Sequence, residues 1–197
     1  MKYPPFLLTI KNIPPKIKNL LRHVLYVGTS SQYEREFKSI LEGNHAALVK
    51  VTKTCSAMEK DTYFHIRKKP FIVVRAAGSL GVDLVALRGD ISFLVEIKSS
   101  NSTTLHFSSM SGKLQQQAER MCAECEKTKT LPIYAFRLKG QRGDSWRIFT
   151  IPVNGLQGRV HILSKRLPQL RISNQGHFIM RWMDGLPLSE FLVYLSQ

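Results

Sequence analysis

Apolar and polar positions along the chain alternate in short runs, punctuated by Gly and Pro, and these runs are set between helix-like stripes. Tyr33, Phe37, Ile40 and Leu41 recur at i, i+4, i+7 and i+8, which predicts a helix beginning after Ser30-Ser31 and ending at Gly43. Phe71 to Arg75 reads as a first strand. The stretch GVDLVALRGDISFLVEIKSS then holds two β-rich runs split by Gly89-Asp90, the signature of a hairpin with a two-residue loop. In that register Arg88 pairs with Ile91 and Asp83 lies opposite Glu96. A second helix is expected over about Ser111 to Lys127, and LPIYAFRL and DSWRIFTIP form a further strand pair around Gly140–Gly143. The order αβββαββ predicts an α/β fold with a central mixed sheet flanked by helices.

The flanks differ in character from this core. Residues 1–27 hold the prolines Pro4-Pro5 and Pro14-Pro15 and a basic stretch from Lys16 to His23, and read as an N-terminal arm. The core is expected over 28–153, with a basic insertion at about 43–69 in which only a helix near Ser56 to Arg67 is legible. Residues 154–197 read as a C-terminal extension packed on the core, with GHFIMRW as a short strand and PLSEFLVYL as a closing amphipathic helix.

Composition changes the picture in three ways. A formal net charge of +15 over 197 residues favours a polyanionic partner such as nucleic acid. No apolar run approaches the roughly 20 residues needed to span a bilayer, and the start MKYPPFLLTI is too short and proline-broken for a secretory signal, so an intracellular, cytoplasmic protein is expected. Three cysteines exclude a disulfide framework. Cys122 and Cys125 form a C-x-x-C inside a helical stretch, with Cys55, His65 and His106 as the remaining soft ligands, and buried helical thiols are the simpler expectation than zinc or an iron–sulfur cluster.

The candidate chemistry lies in the hairpin. Directly opposed residues have Cβ atoms about 4.5–5.5 Å apart, and two carboxylates so placed repel unless a cation neutralises them. Leu84, Ala86, Phe93, Val95 and Ile97 line one face, and Val85, Leu87 and Leu94 share the other with the acids, so Asp83 and Glu96 lose solvation. A hard divalent cation would compensate. Lys98 falls two residues beyond Glu96 on the same face, and a plain ion pair at a strand end is the competing explanation.

Gly81-Val82-Asp83, an apolar strand, a turn and then Glu96-Ile97-Lys98 resemble the core of the PD-(D/E)XK nuclease superfamily, with Val82 where the superfamily name has Pro. The blocks SQYEREFKSIL, FIVVRAAGSLGVDLVAL, FLVEIKSS and KLQQQAERM follow one another in the order seen in archaeal Holliday junction resolvases. This resemblance implies a restriction-endonuclease-like core and a structure-selective endonuclease that resolves four-way DNA junctions in recombination and repair. Cleavage would be Mg²⁺-dependent, with Mn²⁺ as a substitute, leaving a 5′ phosphate and a 3′ hydroxyl, and the protein would act as a homodimer. A nuclease acting on flaps, ends or duplex and a non-catalytic basic DNA-binding protein are the other readings.

Carried onto this chain, the resemblance implies Glu34, Asp83, Glu96 and Lys98 as catalytic residues. Asp83, Glu96 and the backbone carbonyl of Ile97 would hold the metal, with Glu34 binding it directly or through water. Glu34 also completes a capping box with Ser31, which needs no chemistry. Arg75, Ser79, Lys113 and Gln117 are the candidate DNA contacts. Ser79 also fits an ordinary turn beside Gly78 and Gly81, and Lys113 and Gln117 a solvated helix face. Arg159, Lys165, Arg166 and Arg171 would extend the DNA surface if the tail did not simply complete the fold.

Overall fold

The computed structural model describes residues 32–76, 81–108 and 112–197. Helix α1 covers residues 32–41 and closes at Gly43, whose φ of 67° lies in the left-handed region where a side chain would be strained. Two further helices, α2 (His45–Val51) and α3 (Ala57–Phe64), fill the insertion. Asn44 caps α2 by accepting from the Ala47 N–H, and Ser56 and Glu59 form a reciprocal capping box on α3. A 3₁₀ turn, His65–Lys68, then delivers the chain to the sheet.

The strands are β1 (Ile72–Arg75), β2 (Leu84–Arg88), β3 (Ile91–Ser100), β4 (Thr104–His106), β5 (Leu131–Leu138), β6 (Trp146–Phe149), β7 (Arg171–Ile172), β8 (Phe178–Arg181) and β9 (Leu186–Pro187). They are interleaved with α4 (Lys113–Thr128), α5 (Gly158–Arg166) and α6 (Leu188–Ser196). The main sheet runs β1-β2-β3-β5-β6-β9, and β4-β8-β7 form a smaller one. β3 and β5 are parallel and the other pairings antiparallel, so the sheet is mixed as expected. The hairpin register is the predicted one, from Arg88↔Ile91 to Leu84↔Val95.

The two faces of the sheet carry separate cores. On one, Leu84, Ala86, Phe93 and Val95 meet Phe37, Ile40 and Leu41 of α1 and Phe191, Leu192 and Leu195 of α6. On the other, Tyr134, Phe136 and Phe149 meet Ala118, Met121 and Cys125 of α4 together with Phe107 and Met180 from the small sheet. Cys122 and Cys125 lie within α4, and all three cysteines are free thiols. Among the described residues no helix is long and apolar enough to cross a membrane.

The tail contributes structure the sequence pattern did not reveal. α5, β7 and β9 are additions to the expected elements, and β9 joins the main sheet beside β6. Arg159 pairs with Asp90 and donates to the Leu195 carbonyl, Arg171 pairs with Asp184, and Arg166 donates to the Gln197 side chain and lies over the Tyr194 ring. Three of the four tail cations considered for DNA are thus engaged within the fold.

Insertion, sheet and tail meet at Asp144, which is 5% exposed. Its carboxylate accepts from the Tyr63 hydroxyl at 2.8 Å, the Trp146 N–H at 3.2 Å and the Ser189 N–H at 2.7 Å. The last of these satisfies a first-turn donor of α6, where the helix itself offers no acceptor. Asp144→Ala would strand three buried donors, each at about 1–3 kcal/mol, whereas Tyr63→Phe removes one bond worth about 1 kcal/mol. Urea unfolding should therefore show a several-fold larger loss for Asp144→Ala than for Tyr63→Phe, and equal losses would deny Asp144 this role.

Candidate active site

Gly81 takes a φ of 66° and turns the chain into β2. Asp83 follows at the mouth of the hairpin, where its N–H donates to the Val95 carbonyl at 3.0 Å and its carbonyl accepts from the Ala76 N–H at 2.9 Å. Its side chain reaches across to β3: Oδ2 accepts from the backbone N–H of Ile97 at 2.7 Å. The paired register of the hairpin ends at Leu84↔Val95, and Asp83 is tied to β3 beyond it by its bonds to Val95 and Ile97, on either side of Glu96. Glu96 sits in the interior of the sheet, in register with Tyr134 of β5 on its other side, and is 3% exposed.

One Glu96 oxygen, Oε1, accepts from Lys98 Nζ at 2.5 Å. The other, Oε2, is buried and has no hydrogen-bond partner. A buried carboxylate oxygen of this kind is costly in a folded interior. Burial pushes the Glu96 pKa up to about 7, against the lowering effect of the Lys98 charge, and the nearby Asp83 charge adds to the rise. Burial also raises Asp83, opposed by the Ile97 hydrogen bond and Lys98, while the Glu34 carboxylate adds to the rise.

The remaining sequence candidates are distributed around this pair. Glu34 bonds Arg75 at 2.5 Å, so the first helix is tied to the end of β1 beside Asp83. Ser31, its partner in the expected capping box, lies outside the described residues, as does Ser79. Glu36, two residues on, bonds Trp146 Nε1 at 2.9 Å and Arg137 at 3.2 Å, and so serves the core and not the site. Lys113 is exposed at the start of α4. Gln117 turns its amide inward: Oε1 accepts from Lys98 Nζ at 3.1 Å and Nε2 donates to the Gly81 carbonyl at 3.1 Å. Among the described residues no three His, Cys, Asp or Glu side chains converge closely enough to hold a metal ion. The acids alone thus offer two ligand groups, and a divalent ion would need main-chain, water or substrate oxygens to complete its shell.

What the site does to stability can be worked out with its sign. The folded acid keeps its proton up to about pH 7 and an unperturbed glutamate releases it near 4.5, so the folded state is progressively destabilised as pH rises through that window. The full effect, on the order of 3 kcal/mol, holds above the folded pKa. Glu96→Gln should therefore raise the melting temperature of metal-free protein at pH 8, with the gain fading toward pH 4.5. Added Mg²⁺ should raise the wild-type melting temperature and not that of the variant. A gain independent of pH would contradict a buried, destabilised carboxylate.

Residues 50–161 match the profile of the family described as archaeal Holliday junction resolvase (Hjc). Among solved structures, Hjc from the archaeal hyperthermophile Archaeoglobus fulgidus, a Holliday junction resolvase, is similar at a TM-score of 0.43 and 19% sequence identity, over 69% of this chain and 93% of that one. No curated protein matches the sequence. The profile match contains Asp83, Glu96, Lys98 and Gln117 and leaves Glu34 and the residues after 161 outside it. Spanning more than half of the chain and the whole acidic centre, it shows that the protein belongs to the archaeal Holliday junction resolvase family.

Proposed function

We propose that the protein resolves four-way DNA junctions by hydrolysing phosphodiester bonds at the Asp83–Glu96–Lys98 centre, acting as a symmetric homodimer with Mg²⁺ as cofactor. The observation that carries this reading is the buried pair of acids beside an ammonium, with Glu96 Oε2 unpartnered in a family of junction resolvases. Asp83, Glu96 and the main-chain carbonyl of Ile97 are the hard oxygen donors that would hold the ion, with Glu34 assisting. When bound, a divalent ion supplies Lewis acidity toward a phosphate oxygen and lowers the pKa of water.

The chain's own groups prepare the rest. The Ile97 N–H fixes the Asp83 carboxylate, so that its orientation does not depend on substrate. Lys98, with only 16% of its side chain exposed, places its Nζ 2.5 Å from Glu96 Oε1. There it would orient the attacking water and neutralise charge that develops on the phosphoryl oxygens. The net charge of +15 supports a binding step dominated by phosphate contacts and weakened by salt. Arg75, Ser79 and Lys113 are the residues that the family resemblance would bring to the scissile strand.

A junction has approximate twofold symmetry, which a symmetric pair of active sites would match. Support for a second copy comes from the outer part of the sheet, on the face that holds the acids. Ile72 is 71%, Val74 50% and Leu87 41% exposed, and β1 and β2 bring them together through the pairs Ile72↔Leu87 and Val74↔Val85. Contiguous exposed apolar surface on a paired sheet favours burial against another chain.

Labelled four-way junctions incubated with wild type and Glu96→Gln, with and without Mg²⁺, test the chemistry. Expected are paired symmetric nicks for wild type with Mg²⁺, retained binding and lost nicking for the variant, and little cutting of the component duplexes. Equal cleavage by both proteins would remove Glu96 from the mechanism. Ile72→Glu should leave the fold intact and shift the mass measured by light scattering from dimer to monomer. A wild type that is already monomeric would refute the assembly.

A further inference from the structure

We propose that Gln117 is a positioning residue for the reaction, a clamp that holds Lys98 and the Asp83 turn in one frame; this rests on the nuclease reading above. The two ends of its amide are committed to the two arms of the site. Oε1 accepts from Lys98 Nζ at 3.1 Å, and Nε2 donates to the carbonyl of Gly81 at 3.1 Å, two residues before Asp83. The sequence expectation of a phosphate contact used the same residue in a different way.

The geometry has a physical reason. A lysine ammonium rides on a flexible four-carbon stem, and a single partner leaves it free to pivot about that contact. Glu96 alone would leave Lys98 in that state. A second acceptor, at a fixed place on a helix, gives the ammonium a direction. An amide is the side chain that can accept from Lys98 and donate to a carbonyl at once. A glutamate could accept but not donate, and it would add a third carboxylate beside Asp83 and Glu96. A methionine fills similar space and does neither.

The helix that presents Gln117 is itself fixed. Ala118, Met121 and Cys125 of α4 are buried in the core beneath the sheet. In the same two turns, Gln115 Oε1 accepts from the Phe178 N–H of β8 at 2.9 Å, tying α4 to the small sheet. Gln117 therefore transmits a rigid position to groups that lie on the hairpin. A displacement of about 1 Å at a reacting group can cost about a hundredfold in rate, so a clamp of this kind would act on turnover and not on affinity.

The test compares wild type, Gln117→Met and Gln117→Glu by junction binding without metal and by single-turnover cleavage of saturated junction with Mg²⁺. For Gln117→Met, unchanged affinity and a rate lowered about ten- to hundredfold are expected. Gln117→Glu, which keeps the acceptor for Lys98 but loses the bond to Gly81 and adds a carboxylate, should also fall below the wild-type rate with affinity retained. An unchanged rate in Gln117→Met overturns the inference, as does weaker binding with an unchanged saturated rate, the signature of a direct DNA contact. A wild type that cuts no junction brings down the nuclease reading together with the clamp; a cutting wild type with an indifferent Gln117→Met brings down the clamp only.

Discussion

The position of Glu96 constrains everything around it. Its backbone is paired with Tyr134 of the parallel β5 and directly follows Val95, the last β3 residue paired with the antiparallel β2, so the residue cannot leave the sheet interior without breaking the central ladder. Its carboxylate is consequently held away from water, and three remedies exist: a proton, an ammonium or an added cation. The chain supplies the second only in part, because Lys98 satisfies one oxygen and leaves the other without a partner. Asp83, brought alongside by the hairpin, makes the shortage of positive charge worse.

Holding such a centre requires that the sheet not yield, and the two layers on its faces are unequal contributors. The face opposite the acids is closed by α1 and by α6, whose Leu188, Phe191, Leu192 and Leu195 are fully buried. These tail residues lie beyond the part of the chain that matches the resolvase family. The family core is thus completed here by a segment of its own sequence, pinned through Asp144 to both the insertion and the β5–β6 turn. The acid-bearing face is covered by α4 only toward β3 and β5, and it is left open over β1 and β2. Substrate access and contact with another copy both become possible on that side.

How much of this could be read in the sequence depends on whether a signal was local. The hairpin register was legible because a two-residue loop and a period of two leave no freedom once Arg88 and Ile91 pair. What holds the turn was not: Gly89 does not take a left-handed backbone, and Arg88 and Arg159 secure Asp90 instead, the latter from a distant helix. Helix α2 was missed because His45 to Val51 is short and buries only Leu48, which leaves no stripe to recognise, although Asn44 stood in place as its cap. The two-residue strands β7 and β9 carry no periodicity at all. In the site, the expectation on Asp83, Glu96 and Lys98 came from spacing. The inward turn of Gln117 did not, since one residue type on a polar helix face serves solvent, phosphate or a neighbouring lysine equally well. Only the α4-to-hairpin packing, a long-range fact, distinguishes them.

The cost of Glu96 also bears on why an acid stands there. An amide of the same shape could accept from Lys98 without being charged, and a carboxylate lifted to about 7 by burial weakens the fold at neutral pH. Packing provides no reason for the anion, because the surrounding core residues are apolar and the opposing group is another acid. Groups that reduce stability in this way persist where the reaction needs them. Burial raises Asp83 in the same direction, and its charge adds to the rise at Glu96. Lys98 does not remove that rise, and its second partner, an amide without charge, helps to direct it while adding no further anion. The centre therefore combines rigid placement with a carboxylate that its one ammonium partner contacts through a single oxygen.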